Sequence, residues 1–259
     1  MQSGGLRTKG IKKAIIPGIP LISVITVVFN GEKTLEQTIQ SVVNQTYENV
    51  EYIILDGASI DNTVNIIKKY ESKIDYWQSE PDKGIYDAMN KGLELATGDF
   101  LLFLGADDVL LNSDVLKDFS SIISSRNYSY CYYGNVIRSQ NMNRYDGKFS
   151  KFKIIQKNIC QQAIFYSRNI YKTYRFNLKY KYLADYEYNI RVFSYMKYID
   201  IDISLYNDNG ISSVRIDNEF RRNIYSIVIK NMGLFYFSYL LLVKISRRIT
   251  IILNKPNLQ

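Results

Sequence analysis

Two aspartates, Asp107 and Asp108, stand side by side at the end of the apolar run DFLLFLGADD (99–108). Two like charges beside a buried strand are costly unless donors or a cation compensate them. A hard divalent ion such as Mg²⁺ or Mn²⁺ meets that need, because it takes one or two carboxylates together with phosphate oxygens. Capping of the next helix is the alternative role, although Asn112 or Ser113 could cap it unaided. A third acid, Asp56, closes the run VEYIILD (50–56) and could accept a hydrogen bond from a nucleobase N–H. Asp56-Gly57 is also an ordinary turn sequence. The chain contains no histidine, which removes His-ligated zinc, Ser-His-Asp triads and imidazole bases together. Any general base must be a carboxylate or a lysine.

The elements that must hold these acids alternate. The run from Leu21 to Phe29 is β-branched and continuously apolar, as a strand buried on both faces of a parallel sheet requires. Leu35, Ile39, Val42 and Val43 then recur at helical spacing between Lys33 and Asn44. After the strand at 50–56, Asp61 or Asn62 can cap a helix through Tyr70, a short strand falls near Tyr76, and a helix covers Gly84 to Leu95. Strand–helix alternation of this length predicts βαβ crossovers and a three-layer α/β fold, whose ligands gather at the carboxyl ends of the strands. Neither Gly-x-Gly-x-x-Gly nor Gly-Lys-Ser/Thr is present, which argues against a dinucleotide fold and a Walker ATPase. A metal-held diphosphate remains.

The second half is less regular: short strands are expected near Cys131–Arg138 and Ala163–Tyr166, a helix from Leu183 to Tyr195, and a polar loop ending at Gly210. From Glu219 a helical segment runs to about Leu253 and contains the stretch MGLFYFSYLLLV (232–243), too short to span a bilayer. Arg221, Arg222, Arg247 and Arg248 flank it, so it reads as an amphipathic helix on an anionic membrane face or as a helix packed on its own domain. No secretory signal is recognised.

Composition agrees with one continuous globular unit: 259 residues, 46% hydrophobic, are enough for a sizeable core. Cys131 and Cys160 are too few for a disulfide framework and fit a reducing compartment. Residues 1–130 carry 12 Lys+Arg against 17 Asp+Glu, whereas 131–259 carry 21 against 8. The basic half suggests an anionic partner, either phospholipid, a phosphorylated substrate or nucleic acid; the acidic first half disfavours the last.

The segments ISVITVVFN (22–30), QSVVNQTYENVEYIILDGASIDNT (40–63), SEPDKGIYDAMNKGLELATGDFLLFLGADD (79–108), ICQQAIFYSR (159–168) and YLADYEYNIR (182–191) resemble family 2 glycosyltransferases of the GT-A fold. The likeness is strongest to bacterial enzymes of O-antigen, capsule and exopolysaccharide synthesis. It implies a GT-A domain over 21–220, with a nucleotide-sugar half (21–110) and an acceptor half (111–220), between a lead-in tail (1–20) and a C-terminal helical segment (221–259). The mainly parallel, Rossmann-like sheet would be sandwiched by helices.

By the same resemblance Val27, Phe29 and Asn30 would line a uridine pocket, Asp56 would hold the uracil, and Asp82 would lie near the nucleotide. Asp107 would sit near ribose and sugar, and Asp108, last acid of a degenerate Asp-x-Asp motif with Ala106 in first place, would ligate Mn²⁺ or Mg²⁺. Asp185 would be the base, with Glu187 as the second candidate. With no histidine in the chain, deprotonating a sugar hydroxyl does require a carboxylate near the donor carbon. Gln161 stands where many relatives have His before Gln162, and Met89 where some carry a phosphate-contacting Arg; Lys83 or Lys91 could supply that charge.

The implied activity is inverting transfer of a hexose from a UDP-sugar to a hydroxyl of a polyprenyl-diphosphate-linked saccharide. It would take place in the cytoplasm, peripherally on the inner membrane face and without nucleic acid. A catalytically silent nucleotide-sugar or glycan binder on the same fold is the alternative.

Overall fold

The computed structural model describes the chain except residues 15, 124–127, 146, 207–215 and 254–259, and except the side chains of 247–253. The loop expected to end at Gly210 and the side chains of Arg247 and Arg248 therefore lie outside the described residues. Among the described residues nine strands form one sheet: β1 (Gln2–Gly4), β2 (Ile22–Val28), β3 (Val50–Asp56), β4 (Tyr76–Ser79), β5 (Phe100–Phe103), β6 (Val109–Leu110), β7 (Cys131–Arg138), β8 (Ile164–Ser167) and β9 (Met196–Tyr206). Their order is β1-β4-β3-β2-β5-β8-β7-β9-β6. The block β4-β3-β2-β5 is parallel throughout, as is the β7–β9 pair, while β8 runs antiparallel to β5 and β7.

Helices cover both faces. On one side α1 (Leu35–Val43), α2 (Thr63–Lys69) and α4 (Val115–Ile123) bring Leu35, Ile39, Ile67, Leu116 and Phe119 against Val24, Ile54 and Leu102. On the other, α3 (Ile85–Leu95), α6 (Arg168–Thr173) and α7 (Ala184–Val192) bring Met89, Leu93, Tyr171 and Tyr188 against Ile25, Ile53, Leu101 and Phe103. Successive strand residues point to opposite faces, so a strand covered twice reads as an unbroken apolar run. That is why the three runs at 22–28, 50–56 and 100–103 stand out in the sequence.

The chain passes from β2 to β3 to β4 on one side and then crosses to β5 on the other side of β2. The strand order therefore reverses between β2 and β5, and a ligand cleft is expected outside their carboxyl ends. The opposite end of the sheet is fastened by residues that composition left without a regular element. There Arg7 reaches the buried carboxylate of Glu51, which also accepts from Ser23 Oγ (2.6 Å) and Thr97 N (2.8 Å), while β1, before it in the chain, pairs along the outer edge of β4.

The helix expected over 219–253 is two helices. α8 (Asn218–Met232) ends at Gly233, whose φ of +93° breaks the run, and α9 (Leu234–Leu253) follows. Ile224, Ile227 and Val228 of α8 are buried in the sheet core, and Phe220 stacks on Tyr186 at 5.0 Å. α9 packs beside α5 (Lys151–Ile154), where the Phe152 ring meets Tyr236 at 5.1 Å and Tyr239 at 4.7 Å. Leu234, Phe235, Leu241, Leu242 and Ile245 of α9 remain exposed. No helix of the described residues is long and apolar enough to cross a membrane.

Candidate active site

The loops after β2 and β3 are laced to each other. Asn30, in a left-handed conformation (φ 52°), accepts from Ile60 N through Oδ1 at 3.0 Å, and its own N–H donates to Ser59 Oγ at 2.7 Å. Gly31 N donates to Thr63 Oγ1, and Glu32 N to Asp61 Oδ2. Asn30, expected in the nucleotide pocket, thus uses its side-chain oxygen to shape the pocket's rim. Val27 is the half-buried position of an otherwise buried β2, and the Phe29 ring is 64% exposed at its end.

Asp56 is buried at the end of β3 and accepts from Ser79 Oγ at 2.6 Å, from Ser59 N at 3.0 Å, and from Ser59 Oγ. Three donors fix the direction of its carboxylate. Asp82 lies alongside: a side chain at Gly57 would meet Asp82 Oδ2 at 2.8 Å and the Phe29 ring at 3.5 Å. Val28, Asp56 and Ser79 close three adjacent strands at one level, so Phe29, Asp56 and Asp82 gather at one end of the sheet.

Across the switch point, Asp107 is exposed and Asp108 buried. Their carboxylates converge over Gly105, where a Cβ would lie 2.8 Å from Asp108 Oδ2 and 3.1 Å from Asp107 Oδ1. Gln162 Nε2 is 3.3 Å from Asp108 Oδ1, and the Asp108 carbonyl accepts from Thr38 Oγ1 at 2.8 Å. No group of three or more His, Cys, Asp or Glu gathers among the described residues. Two converging carboxylates without further protein ligands fit a divalent ion that completes its shell with phosphate oxygens and water. Gln161 Nε2, three residues after Asn158, is buried without a hydrogen-bond partner among the described residues. A buried donor left unmatched calls for an acceptor from water or from a bound molecule.

Asp185 opens α7 and is held from two sides. Tyr86 Oη donates to its Oδ1 at 2.7 Å and Asn158 Nδ2 to its Oδ2 at 2.6 Å. Asn189 Nδ2 supports Asn158 Oδ1 at 2.9 Å, and Tyr166 Oη supports Asn189 Oδ1 at 2.7 Å. Burial raises the Asp185 pKa, against the lowering effect of its donors. Burial and the Asp185 charge hold the Tyr86 phenol well above its ordinary value, so it stays a donor. Burial first, then the negative charges of Asp108 and Asp185, also push the Cys160 thiol far up. The two carboxylates come from opposite halves of the chain, yet one short segment reaches both, Asn158 donating to Asp185 and Gln162 to Asp108.

The other candidates face elsewhere. Glu187 pairs with Arg191 at 3.0 Å and feels Lys230 of α8. Met89 is buried in the core, and Lys91 is paired with Glu80 at 2.7 Å. Asn158, Asn189 and Tyr86 carry no sequence signal of their own, because only the fold brings them to Asp185.

Residues 23–197 match the family model described as "Glycosyl transferase family 2". The chain belongs to glycosyl transferase family 2. A PGL/p-HBAD biosynthesis glycosyltransferase of Mycobacterium tuberculosis is 35% identical over 215 residues, 79% of this chain and 84% of that protein. An uncharacterized glycosyltransferase of Haemophilus influenzae is 34% identical over 122 residues, 44% of this chain and 49% of that one. Among solved structures, residues 1–349 of S. aureus TarS superpose with a TM-score of 0.68 at 18% identity, covering 83% of this chain and 68% of that one. The same TarS fragment has been solved with UDP and with UDP-GlcNAc. A mannosyltransferase from Pyrobaculum calidifontis, solved with GDP-Man and Mn²⁺, superposes with a TM-score of 0.61 at 13% identity, covering 86% and 70%. The family 2 glycosyltransferase described here shares the GT-A fold with these neighbours.

Proposed function

We propose that this glycosyltransferase is an inverting hexosyltransferase that uses a UDP-sugar, with a divalent metal, to extend a polyprenyl-diphosphate-linked saccharide in bacterial surface-polysaccharide synthesis. The observation that carries the reading is that Asp108 and Asp185, from opposite halves of the chain, are held by one short segment, with Gln162 Nε2 3.3 Å from Asp108 Oδ1 and Asn158 Nδ2 2.6 Å from Asp185 Oδ2. UDP and UDP-GlcNAc complexes of the TarS fragment support a nucleotide-sugar donor.

Asp56 accepts from the uracil and Phe29 covers it. Mn²⁺ or Mg²⁺, held by Asp108 with Asp107 beside it, would neutralise charge on the leaving diphosphate. Asp185 takes the proton of the acceptor hydroxyl as its oxygen attacks the anomeric carbon from the face opposite the diphosphate. Its burial suits that task, because a raised pKa makes a carboxylate a stronger base. Tyr86 and Asn158 leave each oxygen a further lone pair with which to receive that proton. The exposed apolar face of α9 and the basic second half support a peripheral position on the cytoplasmic face of the inner membrane.

The test is thermal stabilisation by a panel of nucleotide sugars with Mn²⁺, Mg²⁺ or EDTA, since a ligand of the folded state raises its stability. Metal-dependent stabilisation by UDP and one UDP-sugar is expected. Equal responses with EDTA would remove the metal, and silence toward every nucleotide sugar would favour a silent binder on this fold.

A further inference from the structure

Asn189 is fully buried on α7, an amide among Tyr186, Tyr188, Ile190 and Val192. An amide in such a place costs free energy unless its hydrogen bonds are made. Its bonds form one line. Tyr166 Oη of β8, also buried, donates to Asn189 Oδ1 at 2.7 Å, and Asn189 Nδ2 donates to Asn158 Oδ1 at 2.9 Å and reaches the Ile159 carbonyl at 3.4 Å. Asn158 Nδ2 then donates to Asp185 Oδ2 at 2.6 Å. The line starts in the core and ends on a half-buried carboxylate.

Chemistry sets its direction. An ionised carboxylate only accepts, so Asn158 turns its amide nitrogen to Asp185 and its oxygen to Asn189. Asn189 must then give its nitrogen to Asn158 and its oxygen to Tyr166, whose hydroxyl donates. Every donor points toward Asp185, and hydrogen bonds aligned head to tail polarise one another. Asn158 lies outside any helix or strand, so its amide is kept from turning over by the hold of Asn189 on its oxygen. Asp185 and Asn189 are one turn apart on α7, so one helix carries both the carboxylate and the clamp on its donor.

We infer that Asn158 is a positioning residue that fixes the direction of the Asp185 carboxylate, and that Asn189 and Tyr166 act on that carboxylate through Asn158. The inference deepens the transferase reading, on which its bearing on turnover rests. A carboxylate held at one oxygen by Tyr86 and at the other by this line keeps a single aim toward the acceptor hydroxyl. The other titratable groups around it are Tyr86 of α3, Tyr166 of β8, Tyr186 of α7 and Cys160, and burial raises the pKa of all four. Charges act on these neighbours in turn, Asp217 on Tyr86 and Asp108, Lys157 and Arg138 on Cys160. The four stay protonated in acid, where the carboxylate's own titration is followed.

The test is a carbon NMR titration of the Asp185 carboxyl group in the full chain, isotope-labelled at aspartate and assigned by the signal missing from Asp185→Asn. Asn158→Leu removes the last donor and should raise the Asp185 midpoint by at least about one pH unit, a tenfold change in proton affinity. Asn189→Leu should move it the same way, and Asn158→Leu/Asn189→Leu should match Asn158→Leu alone, because residues acting in series are not additive. Tyr166→Phe keeps the ring in place and should give a smaller shift of the same sign. UDP affinity in the presence of Mn²⁺ should be unchanged in every variant. An unmoved midpoint in Asn158→Leu, or a double variant equal to the sum of the two, would overturn the inference. So would a loss of UDP affinity in step with the midpoint, which would mark a general loss of structure. If the Leu variants do not fold, an unmoved midpoint in Tyr166→Phe overturns it alone. Wild-type turnover of a UDP-sugar by Asp185→Asn would instead remove the base reading, and the titration would still report whether the line holds the carboxylate.

Discussion

Tyr86, on α3, donates its phenol proton to Asp185, on α7, across 2.7 Å. The helix that follows the SEPDKG loop of the nucleotide half thus holds the proposed base of the acceptor half. Asn158 completes the grip from a third segment.

Asp185→Asn should lower turnover about 10²- to 10⁴-fold, the range of a lost general base, while UDP-sugar binding stays nearly intact. Because burial raises the Asp185 pKa, wild-type kcat/KM should fall on acidification at a pH above the usual aspartate range. The active form is the carboxylate, so activity is present above the raised pKa and lost as pH drops through it. A pH–rate profile checks both statements, and comparable transfer by the Asn variant removes the assignment.

Tyr86→Phe removes a donor that favours the ionised carboxylate. The Asp185 pKa should rise further, moving the acidic limb of kcat/KM to higher pH, with a plateau well above that of Asp185→Asn. Losing a hydrogen bond to a charged group should also cost about 1–3 kcal/mol of stability, read from urea unfolding. An unmoved acidic limb would mean that Tyr86 does not tune this carboxylate.

Gly105→Ala should behave like a mild Asp108→Ala. The added methyl would meet Asp108 Oδ2 at 2.8 Å and Asp107 Oδ1 at 3.1 Å, forcing the two carboxylates apart. Metal-dependent UDP-sugar affinity should fall at least about tenfold in both variants. Titration with Mn²⁺ in the presence of UDP measures the loss, and an unchanged Mn²⁺ midpoint would separate these acids from the metal.

Arg7→Ala leaves Glu51, 1% exposed, without its cation at the far end of the sheet. Breaking a buried ion pair from one side costs about 3–5 kcal/mol, here reduced by the remaining donors from Ser23 and Thr97. Calorimetry should show a Tm lower by roughly 5–10 °C. Nucleotide affinity should not change, since the clamp lies at the opposite end from the cleft.

Three strands of the parallel block, β2, β3 and β5, were legible because they are buried on both faces, whereas the four-residue, half-buried β4 gave only a weak signal, and the acids at the strand ends were legible because they interrupt apolar runs. Asp56, Asp107 and Asp108 needed only that contrast. Asp185 did not: its neighbours in sequence are ordinary helix residues, and its environment is built by Tyr86 and Asn158, brought together only by packing. The break at Gly233 was hidden for a different reason, since apolar residues continue on both sides of it while the helix axis turns. The N-terminal strand was hidden because three residues, Gln2–Gly4, carry no periodicity and take their structure from the open edge of β4.

The sheet's two ends have a consequence for how copies of the chain can meet. One margin is the three-residue β1 and the other the two-residue β6, both antiparallel to their neighbours. The β1 stub covers three of the four residues of β4 and leaves that margin almost no backbone for a foreign strand to extend, whereas β6 pairs with only Ser204 and Leu205 of the eleven-residue β9. A second copy that lengthened this sheet would therefore have to add along β9, because the β1 margin is already closed.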